Sequence, residues 1–367
     1  MAVLLPDYRN CIANLPNSVL KALGMETVGP TLPLADSFLQ HDYKNIVVLL
    51  LDGMGTKILE NHLSGDGVFR KNLRGNYSSV FLPTTVAATT SAMSGLQPCE
   101  HGWLGWDMYY PQVGDNVTVF LNLLQKTKEP AADYNIAWTY TPYESSVERV
   151  NRLGGNAYAS MPFLDPFPSD LDAVLERIKE LCGQPERKYI YSYWSEPDGI
   201  LHRFGSSAPE TYGILEELQE KVSALLDLPD TIVFITADHG HINSENVLIE
   251  DHPEINDCLV REPSLEPRAL NLFVKEGKKD IFEKEFNRQF GDKFMLLTAE
   301  EVLERELMGT AAPRDDLRGY LGDYIAIATS DLSIFCRSTI DEYASMHGGM
   351  TDDEMLIPLI VFDNKRR

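Results

Sequence analysis

Three aspartates and three histidines stand next to short apolar runs in this sequence, His347 ahead of the last run and the others at or beyond the end of a run. They are Asp52, Asp198, His202, Asp238, His239 and His347. Ligands of open α/β sheets bind at the carboxyl ends of the strands, so we expect these side chains to meet there. Carboxylates and imidazoles suit Zn²⁺ or a similar divalent ion, and the inventory makes two ligand sets. Two such ions about 4 Å apart can clamp an in-line displacement at phosphorus, one activating the attacking oxygen and one stabilising the leaving oxygen.

Each candidate also has an ordinary structural explanation. Asp52 precedes a glycine, and an Asp-Gly pair after a strand is typical of a turn. Asp198 and His202 are four residues apart in "DGILH" and would share one face of a helix as a surface contact. His347, in "HGG", could be a turn residue. Their joint occurrence at strand ends favours the metal site.

A nucleophile is expected in the stretch "FLPTTVAATTSAMSG" (81–95). The residues "SSVFLP" predict a strand, followed by a turn and a helix that ends at Gly95. A threonine at this junction lies at a helix N-terminus, where free N–H groups and the helix dipole favour a phosphate and a developing alkoxide. The alternative is that Thr84 or Thr85 only caps the helix. Two adjacent threonines can fill both roles.

The apolar runs that precede these residues predict an α/β fold. Runs typical of buried parallel strands are "NIVVLLL" (45–51), "KYIYSYW" (188–194), "TIVFITA" (231–237) and "MLIPLIVF" (355–362). Helical stretches lie between them, at 170–183 and 209–228, and Asn10 to Leu23 predicts a further short helix. This alternation predicts a mostly parallel central sheet with helices on both faces.

Two segments fit the alternation poorly. Residues 105–165 are rich in Trp, Tyr, Gly and Pro, and residues 245–340 contain short strands and a helix of their own. We therefore predict a catalytic core formed by residues 1–244 and 341–367. Residues 245–340 are predicted to form a small α+β cap inserted into it.

Composition limits the partners. The chain of 367 residues has a formal net charge of −23, which disfavours a nucleic acid polymer or an anionic membrane. Divalent cations in a site reverse the local sign, so a small anionic substrate stays compatible. The sequence contains no run of eighteen apolar residues, so no membrane span is predicted. The five scattered cysteines indicate reduced thiols and a cytoplasmic location, and the oligomeric state stays open.

The ordered motifs of the chain resemble the alkaline phosphatase superfamily, in its type I phosphodiesterase / nucleotide pyrophosphatase branch. They run from "LLLDGMG" through "PTT", "SGLQPCEHG", "EPDGILHRFG" and "TADHG" to "HGG". The resemblance implies an alkaline-phosphatase-like core and metal-dependent hydrolysis of phosphodiester or pyrophosphate bonds in small, nucleotide-like substrates. Phosphonate or phosphomonoester hydrolysis, and a non-catalytic pseudoenzyme that binds metal and nucleotide, are the alternatives.

The resemblance also implies roles for individual residues. Two divalent ions, with Zn²⁺ favoured, would be held by two sets of side chains: Asp52, Thr85, Asp238 and His239 for the ion that activates the nucleophile, and Asp198, His202 and His347 for the other. The nucleophile would form a phospho-threonine intermediate. Thr85 is preferred to Thr84 because the family's nucleophile stands ten residues before the glycine that is Gly95 here.

Some residues near these motifs are harder to assign. The family often has asparagine where this chain has Ala88, and methionine where it has His241. We expect His241 to be a solvent-facing loop residue, with a supporting role beside the ligands as the alternative. Arg268 is expected on the surface unless it reaches the phosphate. The aromatic side chains after His101 are expected to pack, with stacking on a base or aryl group as the alternative: Trp103, Trp106, Tyr109 and Tyr110.

Overall fold

A computed structural model describes residues 2–341 and 343–365 of the chain. In chain order, its strands are β1 (Asn45–Leu51), β2 (Leu73–Ser78), β3 (Asp107–Tyr110), β4 (Asp115–Thr118), β5 (Leu123–Leu124), β6 (Ala157–Ser160), β7 (Lys188–Trp194), β8 (Thr231–Thr236), β9 (Ile242–Asn243), β10 (Glu245–Leu248), β11 (Ser264–Glu266), β12 (Ala269–Leu272), β13 (Phe294–Thr298), β14 (Tyr324–Ala328), β15 (Leu332–Phe335), β16 (Ser345–Met346) and β17 (Leu356–Asp363).

The helices are, in the same order, α1 (Asn14–Ala22), α2 (Pro33–Asp36), α3 (Thr56–His62), α4 (Val68–Asn72), α5 (Thr85–Ser94), α6 (Pro98–His101), α7 (Ile136–Tyr140), α8 (Ser146–Arg152), α9 (Leu171–Gly183), α10 (Asp198–Phe204), α11 (Pro209–Val222), α12 (Pro253–Asn256), α13 (Lys279–Phe290), α14 (Ala299–Glu304) and α15 (Asp352–Met355).

A six-stranded sheet in the order β2-β17-β8-β1-β7-β6 forms the centre of the fold. Strands β6, β7, β1 and β8 run parallel to one another. Every residue of β1 and of β8 is buried, which explains why their sequences are continuous apolar runs rather than alternating ones. The predicted α/β class and mostly parallel central sheet are confirmed.

The direction of the last strand was predicted wrongly. The run at 355–362 was expected to be parallel, but β17 pairs antiparallel with both β8 and β2. The chain enters β17 from the His347 segment, at the edge of the sheet where β8 ends, so β17 has to run back across the sheet. An apolar run indicates burial on both faces and contains no information about strand direction.

The segment ahead of the expected nucleophile also differs from its prediction. The strand predicted at "SSVFLP" ends at its first residue, since β2 stops at Ser78. The helix that follows is confirmed: α5 begins at Thr85 and is closed by Gly95, whose φ of 80° is in the left-handed region that glycine adopts readily.

A second, seven-stranded sheet has the order β13-β14-β12-β11-β3-β4-β5, and its neighbouring strands pair antiparallel. It joins strands from residues 264–328 to strands from 107–124, which the prediction placed in the core. One apolar cluster surrounds the central sheet, and two further clusters pack against the second sheet. The division into a core and a cap at 245–340 stays a prediction.

In the part of the chain that the structure describes, no helix is long and apolar enough to span a bilayer. All five cysteines are buried free thiols. The cytoplasmic location stays a prediction.

Candidate active site

Two aspartates and a histidine meet at the ends of β1 and β8. Asp52 follows β1, while Asp238 and His239 follow β8, and the two strands are adjacent and parallel. One candidate ligand atom from each residue lies within 4.8 Å of the others. Asp52 is in the Asp-Gly turn that its sequence also predicts: Gly53 has a φ of 74°, and a Cβ there would lie 3.0 Å from the Asp198 Cα. The turn explanation and the cluster are therefore compatible.

The two carboxylates of this first group are buried, and each has one oxygen atom that accepts hydrogen bonds and one that does not, among the described residues. Asp238 Oδ1 accepts the N–H groups of Gly53 and His239, and Asp52 Oδ2 accepts the Tyr193 hydroxyl. Asp52 Oδ1 and Asp238 Oδ2 are buried and have no hydrogen-bond partner among the residues that the structure describes. Burial, and then the charges of Asp238 and Asp198, raise the pKa of Asp52 well above its ordinary value. Buried carboxylates without a proton or cation are costly, so this donor set fits a divalent cation.

The second group is formed by one carboxylate and three imidazoles: Asp198, His202, His241 and His347. Asp198 and His202 lie one turn apart on α10, and the two other histidines follow β8 and β16. The distances from Asp198 Oδ1 to the Nε2 atoms are 3.4 Å for His202, 2.7 Å for His241 and 3.9 Å for His347. The surface contact considered for Asp198 and His202 does not apply, because both face this cluster.

Hydrogen bonds at Nδ1 set the orientation of these imidazoles. Carbonyl oxygens only accept, so His202 donates from Nδ1 to Ser345 O at 2.9 Å and His347 donates from Nδ1 to Pro83 O at 3.3 Å. Likewise, His239 donates from Nδ1 to Gly240 O at 3.1 Å. Each arrangement leaves the Nε2 lone pair facing its cluster, as a metal ligand requires.

His241 contradicts the expectation of a solvent-facing loop residue. Its side chain is buried, with Nδ1 3.0 Å from Ser345 Oγ. The Ser345 hydroxyl donates its proton to Leu201 O, and His241 Nε2 lies 2.7 Å from Asp198 Oδ1, within hydrogen-bond distance. Burial lowers the pKa of His241 to about 4. A neutral imidazole and a carboxylate placed in this way are donors that suit a divalent cation.

The two groups are adjacent. The rings of His239 and His347, one from each group, stack with centroids 3.8 Å apart. The Asp198 N–H donates to Asp52 O at 3.0 Å, so the turn after β1 and the start of α10 are joined directly. Burial opposes ionisation of Asp198, but the surrounding histidines, His202 first, lower its pKa well below its ordinary value.

The structure places Thr85 beside the first group. It is the first residue of α5, it is only partly buried, and its Oγ1 is 3.3 Å from His239 Nε2. Thr84 is the N-cap residue of α5 by position, but its side chain makes no capping hydrogen bond. Its hydroxyl donates instead to the Glu266 carboxylate. Of the two adjacent threonines, Thr85 is therefore the one whose hydroxyl lies beside the first group.

Glu266, which the sequence analysis did not single out, lies next to these threonines. It is the last residue of β11 and only 6% exposed. Its Oε1 accepts both the Thr84 hydroxyl and the Trp106 N–H, the latter at 2.8 Å. Burial raises its pKa to about 8. No local motif marks this residue, because it comes from the second sheet and meets α5 only in the folded chain.

A cavity of about 450 Å³ opens beside Thr85 and the second group. Thr85, Asp198, His202 and His347 line one part of it. The rest is lined by residues of the second sheet and the segments next to it, including Glu266. The cavity thus gives a ligand simultaneous access to the expected nucleophile and to residues far from it in sequence.

Arg268, His101 and Ala88 are held in packing or hydrogen-bond contacts away from the two groups. Arg268 is fully buried and bound to Glu354, so the surface expectation is wrong and its guanidinium does not line the cavity. His101 binds Ser91 Oγ and the Trp103 N–H, which ties α6 to α5. Ala88 is fully buried in the central apolar cluster.

All four aromatic side chains after His101 have packing contacts, and that of Trp106 is with Phe120 at 6.0 Å between ring centroids. Trp103 and Tyr110 are buried, and the Tyr109 ring lies 4.6 Å from that of Phe273. Trp106 differs, since it is 40% exposed and lines the cavity.

Solved structures with a similar fold cover most of this chain. Human ectonucleotide pyrophosphatase/phosphodiesterase 5 has a TM-score of 0.65 at 17% identity, over 86% of this chain and 87% of that one. The murine protein, solved with AMP, gives 0.62 at 16% identity over the same shares. Phosphonoacetate hydrolase from Sinorhizobium meliloti, solved with phosphonoformate, gives 0.59 at 14% identity over 87% of this chain and 89% of that one.

No curated protein matches the sequence. The profile of the family described as type I phosphodiesterase / nucleotide pyrophosphatase matches residues 46–300, more than half of the chain. The matched region contains both strand ends of the first group, α5 and α10. The chain therefore belongs to the type I phosphodiesterase / nucleotide pyrophosphatase family, a family of phosphoric ester hydrolases.

Proposed function

We propose that the protein hydrolyses phosphodiester or pyrophosphate bonds of small, nucleotide-like substrates through a phospho-threonine intermediate on Thr85. The observation that carries the proposal is the position of the Thr85 hydroxyl. It lies at the start of α5, 3.3 Å from His239 Nε2, beside two adjacent groups of metal-type donors. A hydroxyl at a helix N-terminus among such donors is suited to act as a nucleophile toward phosphorus.

In this proposal Asp52, Thr85, Asp238 and His239 hold one divalent ion. The second ion is held by Asp198, His202 and His347, with His241 as an additional ligand. The ions supply Lewis-acid activation of the attacking oxygen and stabilisation of the leaving oxygen. A donor set of imidazoles and carboxylates favours Zn²⁺ over Mg²⁺ or Ca²⁺, which prefer oxygen ligands.

The chain's own residues then account for the two chemical steps. The Thr85 hydroxyl loses its proton to solvent, and its Oγ1 forms a bond to phosphorus as the bond to the leaving-group oxygen breaks. The leaving oxygen departs with the electron pair of that bond and takes up a proton from solvent. Free N–H groups in the first turn of α5 face the oxygens of the bound phosphoryl group. A water molecule next attacks phosphorus, the Thr85–phosphorus bond breaks, and a phosphate product is released. Because Thr84 donates its hydroxyl to Glu266, it does not compete for this role.

The predicted cap has a place in this proposal. Glu266 and its neighbours in the 245–340 segment line the cavity beside Thr85 and the second group, so the cap contacts the part of the substrate beyond the phosphorus. Strands β3 to β5 belong to the same sheet and extend this covering layer. Substrate choice among diesters, monoesters and phosphonates would be set there, since the metal-type groups offer the same donors to each.

Hydrolysis by the Zn²⁺-loaded protein tests the proposal. We expect turnover of bis(p-nitrophenyl) phosphate that exceeds turnover of p-nitrophenyl phosphate and of phosphonoacetate, and its loss on treatment with EDTA. Thr85→Ala should lower kcat by roughly 10³-fold or more, because the nucleophile is removed. Thr127→Ala, at an exposed threonine outside the cavity, is the control and should keep full activity.

Two outcomes would count against the proposal. If Thr84→Ala lost as much activity as Thr85→Ala, the nucleophile would be assigned to the wrong residue. If the Zn²⁺-loaded protein bound AMP but hydrolysed no phosphate ester, the pseudoenzyme alternative would apply. Preferred turnover of p-nitrophenyl phosphate would instead indicate a phosphomonoester hydrolase, and preferred turnover of phosphonoacetate would indicate a phosphonate hydrolase.

A further inference from the structure

Two buried carboxyl groups that the proposed reaction does not use line the cavity beyond Thr85 and the second group. Glu266 and Asp107 are 6% and 7% exposed, and both line the cavity. Glu266 uses only Oε1 in hydrogen bonds, and Asp107 uses only Oδ1, which accepts from Thr118. Among the described residues, nothing donates to Glu266 Oε2 or Asp107 Oδ2, and no ion pair reaches either carboxyl group. Both residues therefore have an acceptor available to a ligand.

Aromatic side chains line the same part of the cavity. Tyr343 and Phe335 stack with ring centroids 5.7 Å apart, and Trp106 is 40% exposed there. Glu266, Asp107 and Tyr343 line this cavity together. We call these residues the acidic aromatic pocket: Trp106, Asp107, Glu266, Phe335 and Tyr343.

Carboxylates combined with aromatic faces are the chemistry that recognises an organic cation. A buried carboxylate without a countercharge is costly, and a ligand cation relieves that cost. An ammonium group is also attracted to the faces of Trp, Tyr and Phe rings. Burial raises the pKa of Glu266 to about 8, and a cation beside it favours the ionised form.

One positively charged side chain lines the cavity among the described residues, Lys128, and it does not change this conclusion. It is exposed to water, while the two carboxyl groups are buried. Its charge acts on Asp107, whose pKa it lowers against the larger effect of burial. Glu266 is left as the buried group that a ligand cation would neutralise.

The pocket lies one residue away from the proposed nucleophile. The Thr84 hydroxyl donates to Glu266, and Thr84 precedes Thr85 in the chain. A cation in the pocket and a phosphoryl group at Thr85 would thus lie in the same cavity and could belong to one ligand. We propose that the acidic aromatic pocket binds a positively charged amine or quaternary ammonium group of the substrate. This inference rests on the proposed function.

Three phosphonates of different charge, the cationic and neutral ones being of equal size, test this inference by calorimetry on the Zn²⁺-loaded protein. They are 2-(trimethylammonio)ethylphosphonate, neutral 3,3-dimethylbutylphosphonate and anionic 3-phosphonopropionate. We expect the cationic ligand to bind roughly tenfold or more tightly than the neutral one, and the anionic ligand to bind most weakly. Equal binding of the cationic and neutral ligands, or tighter binding of the anionic one, would overturn the inference.

Variants assign the preference to the pocket. Glu266→Gln should remove most of the difference between the cationic and neutral ligands, while Glu276→Gln, at an exposed glutamate outside the cavity, should keep it. If thermal unfolding shows that Glu266→Gln is not folded, Asp107→Asn provides the same comparison. A preference that survives in the folded pocket variant would overturn the assignment.

The binding measurement is independent of turnover, so the two proposals fail separately. An enzyme that hydrolyses bis(p-nitrophenyl) phosphate without preferring the cation overturns only the pocket. A protein that prefers the cation and hydrolyses no phosphate ester overturns only the proposed reaction.

Discussion

The Arg268 guanidinium and the Glu354 carboxylate form a fully buried, two-point ion pair, with distances of 2.6 Å from Nε to Oε1 and 2.9 Å from Nη2 to Oε2. The same carboxylate accepts the N–H of Gly349, two residues beyond a histidine of the second group. The Glu354 carbonyl accepts the N–H of Gly240, directly after the histidine of the first group. The pair therefore links the second sheet to both histidine segments.

We expect Arg268→Met to be strongly destabilising. The substitution leaves the Glu354 carboxylate buried without its countercharge, which typically costs about 3–5 kcal/mol. Urea unfolding measures the change in the free energy of unfolding. Arg288→Met, at an exposed arginine paired with Glu285, is the matched control and should change stability by less than about 1 kcal/mol. Equal effects of the two variants would show that the buried pair does not stabilise the fold.

A second prediction concerns His241 and metal affinity. Its Nε2 faces Asp198 together with two other histidines, so His241→Ala removes a ligand from the second group and leaves the first intact. We expect Zn²⁺ affinity at one of two sites to fall about 10–100-fold, as for other changes around metal ligands. Competition with a chelating dye measures both affinities. His41→Ala, at an exposed histidine, should leave them unchanged, and an unchanged pair of affinities in His241→Ala would remove His241 from the ligand set.

The central sheet could be predicted from the sequence because a local sequence pattern marks each of its main parallel strands. Each of β1, β7 and β8 is a continuous apolar run, and the polar residues after it fall at the same edge once the strands are parallel. The meeting of Asp52 with Asp238 follows from that rule alone. The roles of these residues as ligands, and of Thr85 as nucleophile, stay predictions.

The second sheet and its contribution to the cavity could not be predicted in the same way. Its strand β11 pairs with β3, which lies more than 150 residues earlier in the chain. The sequence of β3 has no pattern that predicts this pairing. Glu266 was missed for this reason. His241 was misjudged because a polar residue two positions after a ligand is usually exposed, whereas here β9 and β16 pair and bury it.

The buried Glu266 carboxyl group predicts a pH dependence of stability. Its pKa is about 8 in the folded protein and about 4.3 when unfolded. Between these values the folded state keeps a proton that the unfolded state has lost. The stability from this group is therefore complete below about pH 4.3 and is lost as the pH rises to about 8, by up to about 1.4 kcal/mol per pH unit.

Unfolding by urea between pH 5 and pH 8 measures this effect by comparing variants. Glu266→Gln cannot lose a proton, so its free energy of unfolding should fall less steeply with pH than that of the wild type. Glu276→Gln should keep the wild-type slope, because that side chain is exposed. Parallel curves for the wild type and Glu266→Gln would show that Glu266 is not held protonated in the folded chain.

A final prediction concerns the Tyr193 hydroxyl, which donates to Asp52 Oδ2 from the buried end of β7. This hydrogen bond leaves Oδ1 as the oxygen that faces His239. Tyr193→Phe removes it without changing the ring, so Asp52 is free to rotate. Such a loss behind a metal ligand typically costs about 10–100-fold in metal affinity or activity. We expect weaker Zn²⁺ binding at the first group, and a lower kcat/KM for bis(p-nitrophenyl) phosphate at limiting Zn²⁺.

Tyr191 offers a matched control on the same strand. Its hydroxyl is buried and has no hydrogen-bond partner in the described part of the chain. Tyr191→Phe therefore removes an unsatisfied polar group and should leave metal affinity unchanged, with stability equal or slightly higher. Excess Zn²⁺ should restore most of the activity of Tyr193→Phe, because the lost hydrogen bond orients a ligand and does not contact the substrate. If activity stayed low at saturating Zn²⁺, Tyr193 would have to act on the reaction itself rather than through the orientation of Asp52.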